Sequence, residues 1–192
     1  MEKSSIRHHC SLLIIGGSAG SLDVILMLLP SLRPGLSFPI IIVLHRKNSF
    51  DSTLTDLLAS KTTLPVKEAE EKDILTPGII YVAPADYHLL VEKDGTLSLD
   101  YSEKVNYSRP SIDVTFETAA EAFGPELVCL LLSGASADGT EGLKVVKKHD
   151  GIVIVQNPVT AKVAYMPQHA IADVVVDRII DASEIDELVN TL

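Results

Sequence analysis

Only two cysteines occur in this 192-residue chain, Cys10 and Cys129, too few for a disulfide framework. Cys129 falls inside an apolar stretch, where a thiol packs as a small inert hydrophobe. No apolar run is long enough to cross a bilayer, since the longest, Pro39 to Leu44, has the length of a strand. The segment Met1 to Cys10 is polar, so no secretory signal is read there. These absences fit a cytoplasmic protein without direct membrane insertion. A basic stripe is missing too: 26 acids against 16 bases give a net charge of −10, which excludes a general binder of nucleic-acid backbones. Three adjoining residues of ligand type, His8, His9 and Cys10, lack the spacing of a metal site, and no metal is assigned. Repeats, low-complexity segments and linkers are lacking as well. The expectation is one domain over residues 11–192 behind a flexible segment of residues 1–10.

What is present alternates strand-like and helix-like segments. Leu12-Leu13-Ile14-Ile15, Pro39 to Leu44, Leu127 to Leu132 and Ile152 to Val155 are short continuous apolar runs, as in parallel strands buried on both faces. Leu64 to Val66, Ile79 to Val82 and Val174 to Val176 read as further strands. Helices are expected over Ser21–Leu29, Ser52–Lys61, a stretch from Ser111 (as cap) to Phe123, Thr140–His149, and from about Ser183. Asp94-Gly95 between His88–Glu92 and Thr96–Tyr101 marks a hairpin. The sum is a three-layer, doubly wound α/β fold, with a mostly parallel sheet and an antiparallel β-hairpin inserted between about residues 80 and 108.

Ser18 lies at the centre of Gly16-Gly17-Ser18-Ala19-Gly20, after one of these strands and before a helix. A G-x-S-x-G turn there can expose a serine Oγ and aim backbone N–H groups at a developing oxyanion. The same turn also suits a phosphate cradle or a plain connection. No Walker lysine follows, because Ser21 and Leu22 stand in its place, and the spacing is not G-x-G-x-x-G. Two other strand ends carry chemistry, with His45 following Leu44 and Asp138 in the small-residue loop after Leu132. Ligand crevices of open α/β sheets form at such ends, so Ser18, His45 and Asp138 can converge as a triad. Each has a plainer role: His45 as a donor to a backbone carbonyl, Asp138 as the cap of the helix beginning near Thr140. The order Ser…His…Asp differs from that of α/β-hydrolases, but triads are defined by geometry.

The motifs resemble the catalytic domain of the CheB chemotaxis receptor methylesterases over nearly all of residues 11–192. Gly16 to Gly20 is similar to the family's Gly-Ala-Ser-Thr-Gly-Gly turn, and His45 to its Gln-His-Met motif. Val66 to Glu70 and Tyr81 to Pro84 are similar to its mid-domain segment, and Arg109-Pro110-Ser111-Ile112-Asp113 to its Arg-Pro-Ser-Val-Asp run. Gly134 to Gly139 is similar to Gly-Met-Gly-x-Asp-Gly, with Gln156-Asn157 and Met166-Pro167 as later matches. The resemblance implies a bacterial signal-transduction hydrolase. It would use Ser18, His45 and Asp138 on glutamyl methyl esters of methyl-accepting receptor cytoplasmic helices, with deamidation of selected glutamines as a second reaction. It implies no metal or organic cofactor.

The sequence departs from the family's pattern at several positions. Ala19 and Ser21 replace a threonine and a glycine, and Ala135 replaces a methionine, although the backbone N–H groups of Ala19 and Ala135 still qualify as oxyanion donors. Arg46-Lys47-Asn48 is more basic than Met-Pro-Pro, and suits either an acidic receptor surface or plain solvation. Arg109 is a candidate anchor for substrate carboxylates, with pairing to a surface acid as its other reading. About ten residues precede the first strand, so control by a receiver domain in cis is not expected. The alternatives are constitutive activity, control by a separate receiver or kinase, or excision from a longer protein. Two further functions remain open: a non-catalytic docking or signalling module of this fold, and a serine esterase or amidase acting on another substrate.

Overall fold

The structure, a computed structural model, describes residues 9–46 and 52–192. Strand β1 (Leu12–Gly17) is buried along its whole length. Leu13 and Ile15 enter one core, Leu12 and Ile14 the other. A strand that is apolar on both sides must be covered twice, and the fold does so with helices on both faces of one sheet. That sheet runs β3 (Val66–Glu68), β4 (Ile80–Val82), β2 (Ile40–Leu44), β1, β7 (Leu127–Leu131), β8 (Ile152–Gln156), β9 (Arg178–Ile180). Every neighbouring pair is parallel.

On one face lie α1 (Ser21–Leu28), Leu58 of α2 (Ser52–Ala59), and Ile185 and Val189 of α6 (Ile185–Val189). On the other lie α3 (Ile112–Phe123), α4 (Thr140–Lys148) and α5 (Tyr165–Asp173). The hairpin β5 (His88–Val91) and β6 (Leu97–Asp100) is a separate two-stranded antiparallel sheet. Its Leu89, Val91 and Leu97 extend the second core. The expected three-layer fold with its inserted hairpin is what the chain adopts.

Two expectations need correction. The last strand is Arg178–Ile180, not Val174–Val176. The carboxylate of Asp177 accepts the Val153 N–H at 2.7 Å and binds Lys147 Nζ at 2.8 Å, and its N–H donates to Val153 O. This junction registers the chain on β8 only after the valines, of which Val174 and Val176 pack at the edge of the core and Val175 is exposed. The sequence reading also lacks a helix where α5 stands. Its apolar periodicity is weak and Pro167 sits inside it, yet Pro167 is the third residue, where a helix has no use for the N–H. Cys10, the last residue of the expected flexible segment, is 2% exposed and belongs to the first core; His8, Lys47 and Asn48 lie outside the described residues.

Sheet order and register decide which loops meet. Gly17 is paired with Leu44, and His45 N–H donates to Gly17 O at 3.2 Å. Across the sheet, Gly16 pairs with Leu131, Leu132 N–H donates to Gly16 O at 2.8 Å, and Ser18 N–H donates to Ser133 O at 2.9 Å. The ends of β2, β1 and β7 therefore lie side by side at equal height. The layer behind them depends on Phe116, whose ring is fully buried in the second core. Phe116→Ala is expected to lower unfolding free energy by about 3–5 kcal/mol, read as a fall in the urea midpoint with an unchanged slope.

Candidate active site

Asp138 has no solvent exposure, so its carboxylate needs donors from the protein. Five converge on it. Oδ2 accepts His45 Nε2–H at 2.6 Å and Ile112 N–H at 2.7 Å. Oδ1 accepts the Ser111 hydroxyl at 2.8 Å, Asp113 N–H at 3.2 Å and Asn106 Nδ2–H at 3.3 Å. Burial alone would raise the pKa of this carboxyl; the bonds from His45, Ile112 and Ser111 outweigh it and hold the group well below the usual range. The first N–H groups of α3 have no helical partner, and the carboxylate takes two of them. Asp138 thus caps α3 from a distant loop. Ser111 stands at the expected N-cap of α3, but its hydroxyl turns to Asp138 instead of to the helix, and the N-cap of α4 is Gly139, not Asp138.

His45 is oriented by this carboxylate. An ionised acid only accepts, so Nε2 carries the proton and Nδ1 is left with a lone pair. Nδ1 lies 3.4 Å from Ser108 Oγ. Ser108 belongs to a strap, residues 101–111, that runs from β6 over the strand ends to α3. Buried His88 ties the strap down, donating through Nε2 to Glu103 O at 2.9 Å and accepting Ser111 N–H on Nδ1 at 3.2 Å. Arg109 does the same from outside. It donates to Asp86 Oδ1 at 2.8 and 3.2 Å and to Ser102 O at 2.7 Å, and its guanidinium lies 3.9 Å from the Tyr101 ring centroid. Of its two readings, pairing with an acid describes its contacts.

Ser18 is half-buried, and its Oγ makes no hydrogen bond among the described residues. Its turn is held rigidly. Ser18 O accepts from the Ser21 hydroxyl at 2.6 Å, and Ser133 Oγ donates to Ala19 O at 2.7 Å. Gln156 Oε1 accepts Ser133 N–H at 2.9 Å, which gives the Gln156-Asn157 motif a positioning role. Gly20 has φ 84°, and a Cβ there would stand 2.7 Å from Lys162 Cβ, so only glycine fits. A Cβ on Gly134 would meet Met166 Cε at 2.7 Å and Ser18 Cβ at 3.0 Å, so the two loops touch at Ser18. Ala19 and Ala135 are exposed, and their N–H groups make no hydrogen bond among the described residues. Ala19 follows Ser18 directly, and Ala135 follows Gly134, which approaches Ser18 from the other loop.

The structure therefore joins His45 to Asp138 directly and sets Ser18 on the adjacent strand end. A cleft of about 400 Å³ opens beside His45, lined by Arg46, Asp86, Lys104, Tyr107, Ser108 and Arg109. Arg46 is bound inward, to Glu68 at 3.1 Å and Ala83 O at 2.9 Å. Sequence reasoning missed Asn106, Ser108 and His88. The first two stand just before the Arg109 motif, and that proximity was the available signal. Among the described residues no cluster of three or more His, Cys, Asp or Glu is placed to hold a metal ion, and no helix is long and apolar enough to cross a membrane.

Residues 13–189 match the family model for CheB methylesterase. A Leptospira interrogans protein, provisionally named protein-glutamate methylesterase/protein-glutamine glutaminase, is 43% identical over 92% of this chain and 91% of its own. The Thermotoga maritima protein-glutamate methylesterase/protein-glutamine glutaminase is 35% identical over 92% of this chain, which spans about half of that relative (52%). The crystal structure of the Thermotoga maritima CheB methylesterase catalytic domain superposes with a TM-score of 0.89 at 34% identity, covering 94% of this chain and 97% of that one.

A second carboxyl gives the site a pH signature. Asp113 is buried beside Asp138, accepting Gly142 N–H at 2.7 Å and Asn106 Nδ2–H at 2.8 Å. Burial first, and then the charge of Asp138, push its pKa up to about 7, against the pull of the Gly142 N–H. An acid with a raised folded-state pKa stabilises below its unfolded value near 3.8 and loses that contribution as pH rises to about 7. The urea midpoint of Asp113→Asn, relative to wild type, should therefore climb between pH 4 and pH 7.5. A difference flat across that range would remove the assignment.

Proposed function

Because the chain belongs to the CheB methylesterase family, we propose that it hydrolyses glutamyl methyl esters on the cytoplasmic helices of chemotaxis receptors, working in the cytoplasm. Ser18 is the nucleophile, His45 the general base and acid, and Asp138 the group that orients His45. The observation that carries this reading is the short bond from His45 Nε2 to an Asp138 kept ionised by its other donors.

The chemistry follows from that tautomer. Nδ1 of His45 takes the Ser18 hydroxyl proton as Oγ attacks the ester carbonyl, and the imidazolium formed is stabilised by Asp138. The carbonyl oxygen becomes an oxyanion facing the N–H groups of Ala19 and Ala135. As the tetrahedral intermediate collapses, the C–O bond to the methoxy group breaks and methanol departs with the proton from Nδ1. Water then attacks the acyl-serine with the same proton relay, releasing glutamate and free Ser18. A glutamine substrate would lose ammonia in place of methanol. Ser18 Oγ closes on Nδ1 when substrate fills the cleft, as catalytic contacts that are long in free enzymes do.

The support for a working site over a docking module is energetic. Holding a buried carboxylate, a tautomer-fixed imidazole and two open N–H groups at adjacent strand ends costs stability that simple docking does not require. Methanol release from methylated receptor cytoplasmic fragments should vanish in Ser18→Ala. Asp138→Asn should lose about 10⁴-fold in turnover by presenting the wrong partner to Nε2. Wild-type release retained in Ser18→Ala would overturn the mechanism.

A further inference from the structure

Residues 105–108 form a tight turn: Ser108 N–H donates to Val105 O at 2.8 Å, and Val105 N–H to Ser108 O at 3.2 Å. Both central residues are left-handed, Asn106 at φ 49° and Tyr107 at φ 62°. Such turns favour Asn followed by Gly. Asparagine tolerates this conformation, and here its side chain is also bound to Asp113 and Asp138. Tyrosine does not tolerate it well, because its Cβ crowds the backbone. The turn's hydrogen bonds hold it in place, but no ring packing among the described residues offsets that strain, since Tyr107 is 98% exposed and its ring has no aromatic partner there.

The strained ring stands on the rim of the His45 cleft. The charge of that rim runs against the rest of the molecule. The chain carries −10 overall, yet the cleft is lined by Arg46, Lys104 and Arg109 against the single acid Asp86. Asp86 is bound to Arg109, and Arg46 to Glu68. Lys104 lies three residues before Tyr107 on the same strap, exposed and in no salt bridge within 4 Å among the described residues; its charge reaches Asp86 only at longer range, behind that of Arg109.

We infer that Tyr107 and Lys104 form the substrate-reading edge of this cleft, which takes an acidic helix carrying the esterified glutamate. This inference rests on the methylesterase reading above. The ring packs on the aliphatic surface of the helix, offsetting the strain of its turn, and Lys104 faces a free carboxylate near the ester. An aromatic supplies contact area at low cost in rotamer freedom, and a rim cation selects acidic partners through a field that salt screens. The turn is fixed from below by Asn106, whose amide holds the two carboxylates behind His45, so the reading edge and the catalytic aspartate share one support.

The test is steady-state methanol release across a range of methylated receptor fragment concentrations, with thermal unfolding of each variant alongside. Tyr107→Gly should unfold at a higher temperature than wild type, because glycine removes the strain. It should raise KM by about tenfold, with kcat within about twofold. Tyr107→Phe should restore the wild-type KM, and Lys104→Gln should raise KM and weaken its dependence on salt. A wild-type KM in Tyr107→Gly would overturn the inference while leaving the esterase reading intact, as would a KM that rises only with a fall in unfolding temperature. Absence of methanol release by wild type itself would overturn the esterase reading and this inference with it.

Discussion

The structure around the active site is organised by the need to satisfy one buried carboxylate. An ionised acid removed from water is tolerable only if its lone pairs are filled. For Asp138 the donors come from His45 after β2, Asn106 in the strap, and Ser111, Ile112 and Asp113 at the start of α3. His45, the 106–113 segment and Asp138 are remote from one another in sequence; the sheet order β2-β1-β7 brings the His45 and Asp138 loops together, and the strap and α3 pack over them. The same bonds align His45, cap α3 and pin the strap. Removing the carboxylate would leave several buried donors without partners at once, so the site and the local fold stand or fall together.

That arrangement forces a division between two acids. Asp113 and Asp138 lie close together in a poorly hydrated region and share Asn106. Two like charges at that separation are not both favourable, so their proton affinities move apart. Asp138 has the larger set of donors and stays ionised, while Asp113, with Gly142 N–H and a shared amide, gives up its charge more readily. The acid that touches His45 is thus kept in the form that fixes the imidazole tautomer, and its neighbour absorbs the electrostatic cost.

How much of this was legible in the sequence follows from the range of the interactions involved. Buried parallel strands announce themselves as short apolar runs, so β1, β2, β7 and β8 were readable, and with them the strand ends carrying Ser18, His45 and the Asp138 loop. The hairpin was readable from Asp94-Gly95, a local turn signal. Helix α5 was not, because its first-turn Pro167 and weak periodicity hide it. Nor was the capping of α3 by Asp138, since local chemistry allows Asp138 to cap the helix beside it and Ser111 to cap its own. The choice between these depends on a contact of 26 residues' separation in sequence, Ile112 to Asp138. Arg109 shows the same limit: its cation is evident, but only the folded strap reveals that Asp86 and two backbone carbonyls occupy it.

The chain order of the proposed triad becomes intelligible from the winding of the sheet. From β1 the chain moves outward on one side through β2, with β4 and β3 beyond it. It then returns to the other side of β1 with β7 and continues through β8 to β9. The reversal lies between β1 and β7, and at such a switch point adjacent loops leave the sheet toward opposite faces and a crevice opens. Ser18 lies on one side of that point, and Gly134 and Ala135 on the other, close enough that a Cβ on Gly134 would reach Ser18 Cβ at 3.0 Å. Ser18 comes first in sequence because β1 is central, His45 second because β2 is the first outward step, and Asp138 last because β7 begins the return. A different winding with the same three neighbouring strands would give a different order and the same geometry. The order therefore records topology, while the chemistry depends on the switch point and on the donors that surround Asp138.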